Sequence, residues 1–224
     1  MFQKIFDFLV ATSPEDGSYY PTTAGNIILL AVIVILFVAM LAIGGHKKKM
    51  KAKQIAFSAV AMTLAVVTSI YTVYEFPFGG SITFFRMFFI CLIGYLYGTK
   101  VGIITGMAYG LLDFILKPYA ITLIQPLMDY PIAFGCLGLS GVFSNAKYGI
   151  IKGYTLGVVG RYLSHVLTGV IFFSEYAGGK NPVIYSLAYN ASYIVPEAVV
   201  TVVILFIPAV RQALGEVKKM ALEN

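Results

Sequence analysis

The sequence predicts an all-α integral membrane protein, and three observations carry the prediction. Of its 224 residues, 59% are hydrophobic and only 12% are charged, at a mean hydropathy of +0.85, far from the balance of a soluble domain. The apolar residues gather into runs long enough to cross a bilayer core of roughly 30 Å as helices. The lysines cluster at the ends of those runs, as topology signals do. The formal charge of +6 therefore reports orientation in a lipid bilayer and not a nucleic-acid partner.

Residues 1–24 place Phe2, Ile5, Phe6, Leu9 and Val10 at helical spacing on one face. No small-residue cleavage site follows a charged start, so the segment reads as extracellular with a brief interfacial helix and not as a signal peptide. Residues 25–44 are an unbroken apolar run and the first span. It ends at His46, Lys47, Lys48 and Lys49, with Lys51 and Lys53 following, the strongest cytoplasmic marker in the chain, which puts the amino terminus outside. Six further spans follow by length and hydropathy at 54–73, 81–97, 101–117, 126–143, 149–173 and 185–208. Inner connections then carry Lys100, Lys147 and Lys152, and the cytoplasmic tail 209–224 carries Arg211, Lys218 and Lys219. The outside keeps Lys4, Lys117 and Lys180.

Small residues recur at helical spacing: Gly98, Gly102, Gly106 and Gly110 on one span, and Ala52, Ala56, Ala59, Ala61 and Ala65 near another. Such rows let helix backbones approach closely within the molecule. Two outer loops, Tyr71 to Gly80 and Ser174 to Pro182, mix aromatic residues with turn-forming Gly and Pro and open to the same side. Cys91 and Cys136 lie inside apolar runs, where a thiol acts as a small hydrophobe.

A helix rises 1.5 Å per residue, so depth can be counted. From the outer ends, Asp129 lies about 5 Å in, Asn190 about 8 Å and His165 about 12 Å, with Tyr185 and Phe173 at the rim. An acid, an imidazole, an amide, a phenol and an aromatic ring then converge on a ligand pocket open to the outside. Singly, His165 and Asn190 also read as interhelical hydrogen-bond partners, and Tyr185 as a member of an aromatic belt. Arg86 at about 8 Å and Asp113 at about 6 Å are expected to pair, leaving Asp129 for a cationic ligand. Arg161 and Glu197, both about 18 Å from the outside, are expected to form a structural ion pair.

Gly138, Leu139, Ser140 and Gly141 have the GxSG form found around the nucleophile of intramembrane serine proteases, with His165 as the base. Depth opposes it, since Ser140 lies about 5 Å and His165 about 24 Å from the inner side, whereas such a pair must meet within about 3 Å. No phosphate-binding glycine loop, HExxH or cysteine–histidine metal spacing occurs. Uphill transport would therefore draw on an ion gradient or on another subunit.

Several stretches are similar to the thiamine-specific substrate-binding (S) components of energy-coupling-factor transporters. They are Phe76 to Thr83 (FPFGGSIT), Gly110 to Phe114 (GLLDF), Gln125 to Phe134 (QPLMDYPIAF), Ser164 to Ala177 (SHVLTGVIFFSEYA) and Ile184 to Asn190 (IYSLAYN). The resemblance, over residues 54–208, implies a six-helix thiamine-binding membrane domain with one extra amino-terminal transmembrane helix. It implies a multi-pass protein of the bacterial cell membrane, not an enzyme and without a cofactor of its own. Its ligand would be thiamine and its partners a coupling membrane subunit and two ATPases that use the ATP. The implied ligand set is Asp129, His165, Phe173, Tyr185 and Asn190; Tyr130 is expected beside them, and one of Tyr74, Phe76 or Phe78 is expected to stack on the ligand with Phe173. Thiamine offers a thiazolium cation, an aminopyrimidine and a hydroxyethyl tail, which call for a carboxylate, stacking rings and neutral hydrogen-bonding groups.

The chain departs from the family in lacking tryptophan, which some members stack where Phe173 stands, and in carrying Asp129 where some relatives have Glu. Its Ala56 to Val60 stretch (AFSAV) also blurs the family's AxxxA docking surface for the coupling subunit. The alternatives are an S component for another vitamin or a thiamine precursor, an ion-coupled carrier acting alone, and the serine protease.

Overall fold

A computed structural model describes residues 10–12, 19–24, 27, 31, 35, 50–122 and 124–223. The span expected over 25–44 lies outside these apart from Ile27, Ala31 and Ile35, which are helical. Val10–Thr12 (β1) and Tyr19–Pro21 (β2) pair as an antiparallel ribbon, Val10 opposite Pro21. The interfacial helix expected of the amino-terminal segment falls on residues that, apart from Val10, lie outside the described ones; Val10–Thr12 itself is a strand.

The bundle begins with α1 (Ala52–Ile70), followed by a short hairpin of β3 (Tyr74–Glu75) and β4 (Ser81–Ile82). Then come α2 (Arg86–Tyr97), α3 (Thr99–Leu116), α4 (Gln125–Phe143), α5 (Gly149–Phe172), α6 (Pro182–Phe206) and α7 (Pro208–Leu222). Among the described residues, α1, α3, α4, α5 and α6 are long and apolar enough to cross a membrane, and the protein is an all-α, multi-spanning membrane protein. Their outward faces carry Ile55, Val60 and Leu64 on α1, Val159 and Leu163 on α5, and Val195, Val199 and Val203 on α6, all exposed, as lipid-facing helices require.

The span expected from residue 81 is helical only from Arg86. Pro77 and the pair Gly79 and Gly80 fold the preceding stretch back on itself, and Phe85 enters the left-handed region at φ 60° and breaks the run. Hydropathy alone does not see this, because strand and helix are equally apolar here. Arg86 consequently stands at the first turn of its helix and not 8 Å inside it.

Helix α4 occupies the middle of the bundle and packs on α2, α3 and α5. Close approach there requires glycine: a methyl group on Gly106 would overlap the carbonyl oxygen of Phe134, and one on Gly138 would overlap the backbone of Gly102 and Ile103. Gly102, Gly106 and Gly110 of α3 form an internal packing surface, as the spacing predicts, whereas Gly98, at φ 88°, precedes the helix and meets nothing within 4 Å. Helix α4 is itself irregular. It widens into a π turn over Met128–Ile132, which contains Pro131, and tightens to 3₁₀ geometry over Leu137–Phe143.

The stretch read as a cytoplasmic tail is helical. α7 runs back across one end of the bundle, where the Tyr97 hydroxyl donates to the Ala221 carbonyl at 3.3 Å and Lys53 donates to the Glu223 carbonyl at 2.7 Å. Lys218 donates to the Ser144 carbonyl and lies 4.1 Å over the Tyr95 ring. The opposite end carries the β3–β4 hairpin, the α3–α4 connection and the turn Ser174–Ala177.

Candidate functional site

At the hairpin end a cavity of roughly 380 Å³ opens between α2, α3, α4, α5 and α6, within the size range of small-molecule sites. Its chemistry begins in the π turn of α4, whose widened backbone presents Asp129. One Asp129 oxygen accepts from Gln125 Nε2 at 2.6 Å and the other lies 2.9 Å from His165 Nδ1. His165 Nε2 in turn accepts from Arg161 Nε at 3.3 Å, one turn earlier on α5. Arginine can only donate, so Nε2 is the bare nitrogen and the ring proton sits on Nδ1, facing Asp129. Both partners of the carboxylate are thus neutral, and its charge stays uncompensated by either.

Arg86 pairs with Asp113 at 3.4 Å, the expected pair, although Arg86 stands at the first turn of its helix and not at the depth counted for it. The expected pair of Arg161 with Glu197 is not formed. Glu197 on α6 accepts from the Thr83 hydroxyl at 2.8 Å and from the Met87 backbone N–H at 3.0 Å, capping the start of α2 from a neighbouring helix. Arg161 instead turns into the cavity, its guanidinium 4.0 Å over the Phe134 ring, with Arg86 5.3 Å over the same ring. Depth counting gives a residue's height but not its direction around the helix axis, and these two match only in height.

Aromatic side chains ring the mouth. Phe173 and Tyr119 lie nearly parallel, at 6.2 Å between centroids and 16° between planes. Phe78 sits 4.3 Å from Tyr176 and 6.2 Å from Phe173, held by a left-handed backbone at φ 66°. Burial, with Asp129 nearby, pushes the Tyr119 phenol above its usual range and keeps it neutral. Tyr185 lines the cavity and runs nearly parallel to Tyr189, whose hydroxyl donates to the Pro77 carbonyl and so holds the hairpin.

Of the expected residues, Asp129, Tyr130, His165, Phe173, Tyr185, Asn190 and Phe78 all line this cavity. Tyr74 does not: it is 56% exposed on β3, its ring against Phe76, and Phe76 takes the place at the cavity wall. Asn190 is engaged by the protein, donating to the Ser186 carbonyl at 2.9 Å and accepting from the Tyr193 hydroxyl at 2.6 Å. The Tyr130 hydroxyl accepts from the Tyr119 N–H and donates to the Lys117 carbonyl, fixing the α3–α4 connection.

Gln125, Arg161, Arg86, Tyr119 and Tyr189 also line the site and were not expected there. Gln125 precedes Asp129 by four residues and Arg161 precedes His165 by four, a same-face spacing that could have found both. The Ser140 hydroxyl, by contrast, donates to the Cys91 carbonyl at 2.7 Å in a fully buried contact. It ties α4 to α2 and has no part in a pair with His165. Among the described residues no three His, Cys, Asp or Glu side chains are grouped to hold a metal ion.

A family model described as thiamine transporter protein matches residues 55–215. Thiamine transporter ThiT of Bacillus subtilis (strain 168) is 32% identical over 163 residues, covering 66% of this chain and 83% of that protein. Thiamine transporter ThiT of Lacticaseibacillus paracasei is 31% identical over 118 residues, covering 45% of this chain and 59% of that one. The solved structure of ThiT from Listeria monocytogenes superposes with a TM-score of 0.53 at 24% identity, over 68% of this chain and 91% of its own, a likeness of fold. The matched stretch takes in every residue that lines the cavity, and the chain belongs to the thiamine transporter protein family.

Proposed function

We propose that this chain is the thiamine-binding S component of an energy-coupling-factor transporter, capturing the vitamin for ATP-driven uptake. The observation that carries the reading is that the family match contains a cavity in which the Asp129 carboxylate, held only by neutral donors, stands among aromatic side chains. That pairing suits a flat organic cation. In this reading Asp129 meets the thiazolium or the amino group of the pyrimidine, and Phe173 stacks on a ring with Phe78 beside it. His165 holds Asp129 in place, and Tyr185, Asn190 and Tyr130 shape and orient the wall.

Helices α1 to α6 form the six-helix S-component core, and the run 25–44 is an additional span. The hairpin end faces outward, as does the amino terminus, and α7 lies on the cytoplasmic side among Lys147, Lys152 and Arg211. As a transporter subunit the chain is not an enzyme. Hydrolysis of ATP falls to two ATPase partners, joined to it through a coupling membrane subunit.

Titration of the purified protein in detergent with thiamine, its pyrimidine half and riboflavin tests the reading. Tight binding of thiamine without nucleotide is expected, and binding of none of the three would refute it. In vesicles, uptake is expected only when the energising subunits and ATP are present; uptake driven by an ion gradient alone would assign the chain as a carrier.

A further inference from the structure

The end of the bundle away from the cavity gathers cations around one exposed ring. α7 starts directly after α6 and lays Val210 and Leu214 against the core, so it crosses the helix ends at the depth of lipid headgroups, as an amphipathic interfacial helix does. Arg211, near its start, holds its guanidinium 5.2 Å from the centre of the Tyr148 ring, and Lys147 holds its ammonium 5.6 Å from the same centre. Lys152 stands one turn into α5 and is exposed, as Lys147 is. Among the described residues none of these three meets a carboxylate. Glu216 is paired with Lys219 at 2.7 Å, Glu223 lies at the far end of α7, and the first turn of α5 contains no acid. Lys218 is engaged by the Ser144 carbonyl and the Tyr95 ring, while Lys51, Lys53 and Lys100 add positive charge to this end.

An apolar groove leads to the cluster. It lies between α5 and α6 with a volume of roughly 490 Å³, walled by Thr155, Val159 and Tyr162 on one side and by Val195, Val199 and Val203 on the other. Tyr148, Lys152, Thr155, Val159 and Tyr162 follow one another at spacings of four and three residues, which makes them one continuous face of α5. The α6 wall ends at Val203, one turn before that helix gives way to α7. The surface is thus cationic at headgroup depth and apolar at acyl depth.

Charge and shape together select the occupant. Cations that flank one ring repel one another, and Arg211 Nε is a buried donor without an acceptor. A single anionic group relieves both. A soluble anion would leave the groove unused, and an uncharged lipid would leave the cations unpaired. We propose that this end of the molecule binds one anionic phospholipid. Its phosphate is held by the Arg211 guanidinium and the ammonium groups of Lys147 and Lys152, and an acyl chain lies along the α5–α6 groove. This groove and the cavity at the hairpin end share no lining residue, so the lipid site stands whether or not that cavity takes thiamine.

Native mass spectrometry of the full-length protein in detergent tests the site, by titration with phosphatidylglycerol and with phosphatidylcholine of the same acyl chains. Phosphatidylglycerol is expected to bind at least about tenfold more tightly. Arg211→Gln and Lys147→Gln should each weaken it about fivefold, the effect of one cation at an anionic lipid surface, and leave phosphatidylcholine unchanged. Lys147 is exposed, so its variant keeps the test open if Arg211→Gln fails to fold. Lys219→Gln removes an equal charge from the same helix outside the cluster and should alter binding by less than about twofold. Ala198→Phe fills the groove with every cation in place and should weaken phosphatidylglycerol about fivefold or more. Equal binding of the two lipids, or a loss in Lys219→Gln as large as in Arg211→Gln, would overturn the site. So would displacement of phosphatidylglycerol by about 10 mM inorganic phosphate at constant ionic strength, which would make the occupant a free anion.

Discussion

Replacing Asp129 by asparagine removes one charge at nearly constant volume, and the structure sets the size of the effect. The carboxylate is 14% exposed, so solvent screens it little, and its two partners, Gln125 and the His165 Nδ1–H, are neutral donors that leave its charge available. A carboxylate and a fixed cation about 4 Å apart interact by about 4 kcal/mol at an effective dielectric near 20. Asparagine retains one acceptor oxygen and a dipole but turns an amide N–H toward one of the two donors. A net loss of about 2–3 kcal/mol remains, or about 30- to 150-fold in Kd. Isothermal titration of the variant with thiamine measures it. A control ligand, in which the thiazolium is exchanged for a neutral ring, should bind native protein and the variant alike. Affinity for thiamine unchanged within about threefold, or an equal loss for the neutral ligand, would refute the assignment of the charge to Asp129.

Phe173→Ala removes a ring at the mouth and is expected to weaken thiamine binding by about 1–2 kcal/mol, or 5- to 30-fold, whereas Tyr74→Ala, outside the cavity, leaves the titration unchanged. Gly106→Ala drives a methyl into the Phe134 carbonyl and should cost about 1–3 kcal/mol, read as a lower unfolding temperature in detergent, because α3 and α4 must part. Ser140→Ala removes the tie to the Cys91 carbonyl and should cost about 1 kcal/mol of stability with thiamine binding intact; loss of binding at native stability would contradict a purely structural serine.

Much of the fold was legible because the signals are long: apolar runs of about 20 residues place α1, α3, α4, α5 and α6, and the four-residue glycine spacing marks the α3–α4 contact. The cavity residues Asp129, His165 and Asn190 were legible because polar groups inside apolar runs are conspicuous. What escaped turns on direction and on local backbone. Arg161 and Glu197 match in depth but point apart, and only coordinates supply the angle. Tyr119 and Gln125 sit at the edges of a span, where a polar or aromatic residue is unremarkable. The start of α2 was misplaced because Ser81 and Ile82 are as compatible with helix as with strand until Phe85 turns left-handed.

The belt formed by α7 has a bearing on how the protein is made. Lys53 at the beginning of the bundle is held by Glu223, 170 residues later, and Tyr97 by Ala221, 124 residues later. Contacts so distant in sequence cannot form until the last turn of α7 has left the ribosome. The earlier helices can enter the membrane one by one during synthesis, but the ends of α1 and α2 that face α7 acquire these partners only once α7 has been made. Closure of that end of the bundle therefore follows insertion of α1 to α6, and α7 sets its timing.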